Sequence, residues 1–120
     1  MLLGAVINYL LENELYFHDY VVAYTNAPMI ISEDYQDTEE LDGLFSGYNP
    51  ETGTYVTDSW QYVQKPGGSS WNVERDDTLQ HPNSVFQILK RHYARYTPEL
   101  VEETCGIAQE DFYYLADSIA

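Results

Sequence analysis

Residues 2–13, LLGAVINYLLEN, carry apolar side chains on almost every side of an α-helix. With successive side chains about 100° apart, only Asn8 and Glu12 mark a narrow polar strip, with Gly4 beside it. Such a helix needs cover on most sides. It begins at residue 2 with no capping residue ahead of it, so the expectation is an element of something larger. A second helix is predicted over 16–26, with Tyr16, Tyr20, Ala23 and Tyr24 on one side and Pro28 ending it. Met29, Ile30 and Ile31 form a short apolar run, a strand or an extended connector. Residues 32–42 are acidic and without a period, which predicts an exposed loop.

A β-hairpin follows, with DGLFSGY and TYVTDSWQYV flanking NPETG. Asn49-Pro50 opens the turn and Gly53 can supply a positive φ at its end. Phe45, Tyr48, Tyr55, Trp60 and Tyr62 suit strand faces. QKPGGSS (residues 64–70) reads as a loop, and WNVERDDTLQ continues it irregularly. Three helices are predicted after that. The first covers 82–96. The second covers 98–105, with Thr97 as N-cap, Pro98 at the first helical position and Gly106 just past the end. The third starts near Gln109, carries Phe112, Leu115, Ala116 and Ile119 at helical spacing, and stops at Ala120 without a cap. Both ends of the chain therefore read as interrupted. There is no internal repeat and no low-complexity segment.

Taken together, the elements predict a mixed, mostly helical α/β class and a single partial domain. Its parts are helices and a short apolar run over 1–31, an acidic loop and hairpin insertion over 32–80, and helices over 81–120. A length of 120 residues and a hydrophobic content of 44% are enough for a core. Charge narrows the function. Twenty acids face five bases, for a net charge of −15, and no Lys or Arg precedes Lys65 while eleven acids do. Such a chain repels nucleic-acid phosphates and anionic membranes. No run approaches the roughly 20 apolar residues of a membrane span. MLLGAVINYLLENE lacks a basic leader and is broken by Asn8 and Tyr9, so it reads as a helix and not as a signal peptide.

The candidate chemistry is sparse. DTEELDG (residues 37–43) superficially suggests a calcium loop. Counted from Asp37, however, the fifth position is Leu41 and the sixth is Asp42, so the register fails and a solvated loop is expected. On the helix through Val85, the side chains of Val85, Leu89, His92 and Tyr96 form one stripe. His92 is therefore expected as a hydrogen-bonded core histidine. His81 precedes Pro82 and suits a turn or capping role. His18 has only Asp19 beside it, and no histidine pair has metal-site spacing. One cysteine, Cys105, excludes an intrachain disulfide and a Cys-rich metal or iron–sulfur site. At a helix C-terminus its thiolate is disfavoured, so a part-buried filler is expected. Lys90, Arg91 and Arg95 share a helix side and are expected to pair with nearby acids such as Glu99, Glu102 and Glu103. KPGGSS lacks the spacing of a phosphate loop. Asp76 and Asp77 are adjacent carboxylates with no evident partner base. These residues by themselves assemble no reaction centre.

One stretch carries more. RDDTLQHPNSVFQILKRHYARYTPELVEETCGI closely resembles a segment of the catalytic (alpha or major) subunit of molybdenum- or tungsten-dependent formate dehydrogenases. The signature is R-D-x-T-L-Q-H-P, a helix, then R-Y-T-P-E/D-x-V and x-G-I/T. INYLLENELYFHDYVVAYTNAPMII and DGLFSGYNPETGTYVTDSWQY match the same region upstream and in order. The likeness covers essentially the whole chain.

The resemblance implies a fragment of a dinucleotide-binding-like α/β domain of the molybdopterin oxidoreductase fold, with the hairpin as an insertion. In that family the subunit binds two molybdopterin guanine dinucleotides with Mo or W and a [4Fe–4S] cluster, and oxidises formate to carbon dioxide. A selenocysteine or cysteine ligates the metal. The cluster cysteines, the metal ligand and its adjacent His and Arg all lie outside the region that this chain resembles. No catalytic, cofactor-binding or metal-binding residue is therefore carried over, Cys105 and His81 included. The expectation is a scaffold piece that binds no cofactor alone and is inactive alone. Its partners would be the rest of the catalytic subunit and an iron–sulfur electron-transfer subunit. Mo versus W, Sec versus Cys and cytoplasm versus periplasm stay open. Two other readings compete: an independent acidic interaction module that mimics nucleic acid, motivated by the charge, and a hydrolase using Asp76 and Asp77.

Overall fold

The computed structural model describes residues 1–67 and 72–120. In chain order its elements are α1 (Leu2–Glu12), α2 (His18–Tyr24), β1 (Tyr48–Asn49), β2 (Thr54–Tyr55), α3 (Val85–Tyr93), α4 (Pro98–Cys105) and α5 (Gln109–Ile119). The class is mixed and mostly helical, with one small antiparallel sheet among the described residues, as the periodicity suggested. The predicted loop over 64–70 lies partly outside the described residues. The chain forms two compact units, one of Met1–Asp19 with Tyr93–Ala120 and the other of Tyr20–His92.

The first unit packs α1, α4 and α5 around Ala5, Val6, Val101, Phe112 and Ala116, all buried. Small side chains let the helices approach. A Cβ added at Gly4 would lie 3.0 Å from the Tyr96 ring. The Tyr9 ring stands edge-on to Phe112, with centroids 6.3 Å apart, and its hydroxyl donates to Asp117 at 2.6 Å. Helix α4 has the predicted bounds because its signals are local. The Thr97 hydroxyl accepts from the Leu100 N–H at 3.3 Å, Pro98 opens the helix, and Gly106 closes it at φ 69°. Helix α1 leaves Leu3 73% exposed, so its apolar circumference is not fully covered.

The second unit is organised by residues 29–31. They join no regular sheet, yet each bridges a different segment: Met29 to Arg75, Ile30 to Ser84 and Ile31 to Tyr62. Their backbone groups are engaged accordingly. Ile30 donates to Glu74 at 3.1 Å, Ile31 donates to Asn83 at 2.9 Å, and Ile30 accepts from Val63 at 2.9 Å. Ala27, Val73, Leu79 and Phe86 are buried in this unit, with the polar Ser84. These bridges shorten the predicted 82–96 helix. Residues 82–84 are held in a turn by the Ser84 N–H to His81 bond and by the pairing with Ile30 and Ile31, so α3 starts at Val85. Helix α2 is likewise shorter than predicted.

The hairpin forms where predicted but with two-residue strands, pairing Tyr48 with Tyr55 and Asn49 with Thr54. The Asn49 carboxamide accepts from the Glu51 and Thr52 N–H groups, and Gly53 sits at φ 64°. Beyond Tyr55 the predicted strand gives way to a single 3-10 turn at Thr57–Trp60. This turn folds back on the hairpin base. The Trp60 indole N–H donates to the Ser46 carbonyl at 2.8 Å, and the Ser46 and Ser59 hydroxyls lie 2.7 Å apart.

Gly47 makes that return possible. At φ 82°, a Cβ built on it would lie 1.9 Å from the Val56 carbonyl oxygen. Gly47→Ala is therefore expected to destabilise the protein by about 3 kcal/mol, from a left-handed backbone and a backbone clash together. Gly53→Ala, with open space around its added methyl, is expected to cost about 1 kcal/mol. Urea unfolding midpoints of the two variants check the contrast.

Candidate functional site

The stretch 75–81 is a loop built around one carboxylate. Asp76 accepts the Thr78 hydroxyl at 2.6 Å and the N–H groups of Thr78, Gln80 and His81 at 2.9, 2.8 and 2.6 Å. Its backbone carbonyl accepts the Leu79 N–H at 3.1 Å, and its own N–H donates to the Pro28 carbonyl at 2.8 Å. The Thr78 hydroxyl above all holds the Asp76 carboxyl down to about 2; burial opposes it, and the His81, Thr78 and Gln80 amides add to the lowering. Leu79 takes a left-handed backbone at φ 59°, unusual for a residue with a Cβ, while its side chain is fully buried and its carbonyl accepts from Gln87 at 2.6 Å. Arg75 braces the loop by donating to Asp77 at 3.0 Å and to the Val22 carbonyl at 2.9 Å. Both adjacent aspartates thus do structural work. Both carboxylates are taken up by donors of the chain itself, which leaves the paired-carboxylate hydrolase without a supporting observation.

The other candidates disperse. His81 serves the turn as expected, its Nδ1 accepting the Asn83 N–H at 3.2 Å. His18 lies 3.5 Å from Asp19, both partly or fully exposed. His92 is half-buried and lines a cleft, whereas a core position was expected. Cys105 is exposed, which corrects its reading as a part-buried filler. Arg91 pairs with Asp37 at 2.8 Å and with the Pro82 carbonyl at 2.7 Å. The expected glutamates 8–12 positions downstream are not its ion-pair partners; a partner 54 positions upstream in sequence is. Within the acidic loop, the Asp37 N–H donates to the Glu40 carboxylate at 3.3 Å. Among the described residues, no three His, Cys, Asp or Glu side chains come together to hold a metal ion. Nor, among them, is any helix long and apolar enough to cross a membrane.

What does form is an aromatic groove within the second unit. One hollow of about 290 Å³ runs along α3, past Val85, Ile88, Leu89 and His92, and faces Tyr35, Asp37 and Phe45. A second of about 340 Å³ is lined by Tyr35, Phe45, Ser46 and Trp60. Tyr35 and Phe45 wall both. Burial raises the Tyr35 phenol above its ordinary value, the nearby Asp37 adds to this, and Arg91 partly offsets it. Sequence reasoning placed Tyr35 in a solvated loop and Phe45 and Trp60 on strand faces. The available signal was an aromatic residue set among the acids of EDYQD.

No protein-family profile matches the chain. Individual proteins do. The formate dehydrogenase subunit alpha of Megalodesulfovibrio gigas is 45% identical over 90% of this chain and 10% of its own length. The formate dehydrogenase-O major subunit of Escherichia coli is 43% identical over 98% of this chain and 11% of its own length. The formate dehydrogenase major subunit of Haemophilus influenzae is 44% identical over 98% and 11%. The chain matches one segment of formate dehydrogenase major subunits. It spans about a tenth of the length of the curated relatives it matches. The formate dehydrogenase resemblance read from the 75–107 stretch is thereby met, and that stretch is, in physical terms, a carboxylate-centred loop, an amphipathic helix and a doubly capped helix.

The Asp76 carboxyl ordinarily titrates at 3.8 and in the folded chain at about 2. Its contribution to stability is therefore complete above about pH 4 and is lost as pH falls toward 2. Asp76→Asn is expected to lower unfolding free energy by about 1 kcal/mol at neutral pH, since the amide replaces a charged acceptor of four donors whose contribution is screened by solvent. The difference from wild type should shrink in acid titration of thermal unfolding between pH 4 and 2.

Proposed function

We propose that this chain is a scaffold segment of the catalytic subunit of a molybdopterin-dependent formate dehydrogenase. In this reading it belongs to a dinucleotide-binding-like α/β domain, with the hairpin of β1 and β2 as an insertion. The supporting observation is identity of 37–45%, sustained across 90–98% of the chain, to the major or alpha subunits of several such enzymes. The complete subunit would oxidise formate to carbon dioxide with bis-molybdopterin guanine dinucleotide, Mo or W, and a [4Fe–4S] cluster. Its partners would be the remainder of that subunit and an iron–sulfur electron-transfer subunit.

The residues present here do not fit those groups. A [4Fe–4S] cluster takes four thiolates, and the sequence has one cysteine. No described cluster of His, Cys, Asp or Glu suits a metal. Dinucleotide phosphates are seated beyond the ends of parallel strands, whereas the described sheet is an antiparallel hairpin. The proposal assigns the cofactors to flanking parts of the subunit and no redox step to these residues. What this segment supplies is packing and a fixed surface.

No observation favours the freestanding nucleic-acid mimic. Asp37, Asp76, Asp77 and Asp117 each engage a group of the chain itself.

Replacing the matching stretch of the Escherichia coli formate dehydrogenase-O major subunit with these residues is expected to retain formate-dependent dye reduction. The 120 residues alone are expected to give none. An exchanged subunit that assembles with its cofactors yet no longer oxidises formate overturns the proposal. So does formate oxidation by the isolated chain.

A further inference from the structure

We draw no further inference here: the strongest candidate, the apolar groove of the second unit walled by Tyr35, Phe45, Trp60 and Leu89, carries nothing, because the Arg91–Asp37 pair makes its charge mixed and nothing in the structure shows what covers it.

Discussion

The second unit depends on how three half-buried residues satisfy their backbone. Met29, Ile30 and Ile31 read as a strand or an extended connector, and backbone groups withdrawn from water need partners. Here the neighbours are scattered turns and loop ends around residues 61–63, 74–75 and 83–85. Each hydrogen bond ties a distant stretch to the same short segment. Losing this segment would free carbonyls and amides from several loops at once, which makes it the cooperative centre of an otherwise irregular unit.

The Asp76 loop shows the same economy on a smaller scale. A turn that carries a buried leucine in a left-handed conformation is costly by itself. One carboxylate meeting three amides and a hydroxyl, with Arg75 and Gln87 anchoring the ends, over-determines it. The acids of this chain therefore divide into two kinds. Some, such as Asp76 and Asp77, hold backbone in place; others, such as Glu33, Asp34 and Asp42, stay at the surface and set its electrostatic character. A net charge far from zero with this division leaves a negatively charged surface.

How much could be read in advance follows from the range of each interaction. The limits of α4 were legible because Thr97, Pro98 and Gly106 act within one turn of the helix. The hairpin turn was legible for the same reason, through Asn49 and Gly53. The strands around it were overestimated, since a helix-like return after Tyr55 needs Gly47 to meet Val56 closely, and only the folded chain shows that approach. The start of α3 was misplaced because Pro82 suits a helix N-terminus locally, while pairing of Ser84 with Ile30 overrules it. The aspartate pair drew a catalytic reading although D-x-T is also a turn signal.

The sequence alone determined the local stops and caps, the single cysteine, the negative charge and the likeness to formate dehydrogenase subunits. These depend on residue identity or on dihedral preferences spanning a few positions. Tertiary structure decided that Arg91 meets Asp37, that Tyr35, Phe45 and Trp60 wall one groove, and that residues 29–31 join separate loops. Those contacts close loops of tens of residues. Their existence rests on the balance of closure entropy against packing across the whole unit, which no local pattern encodes.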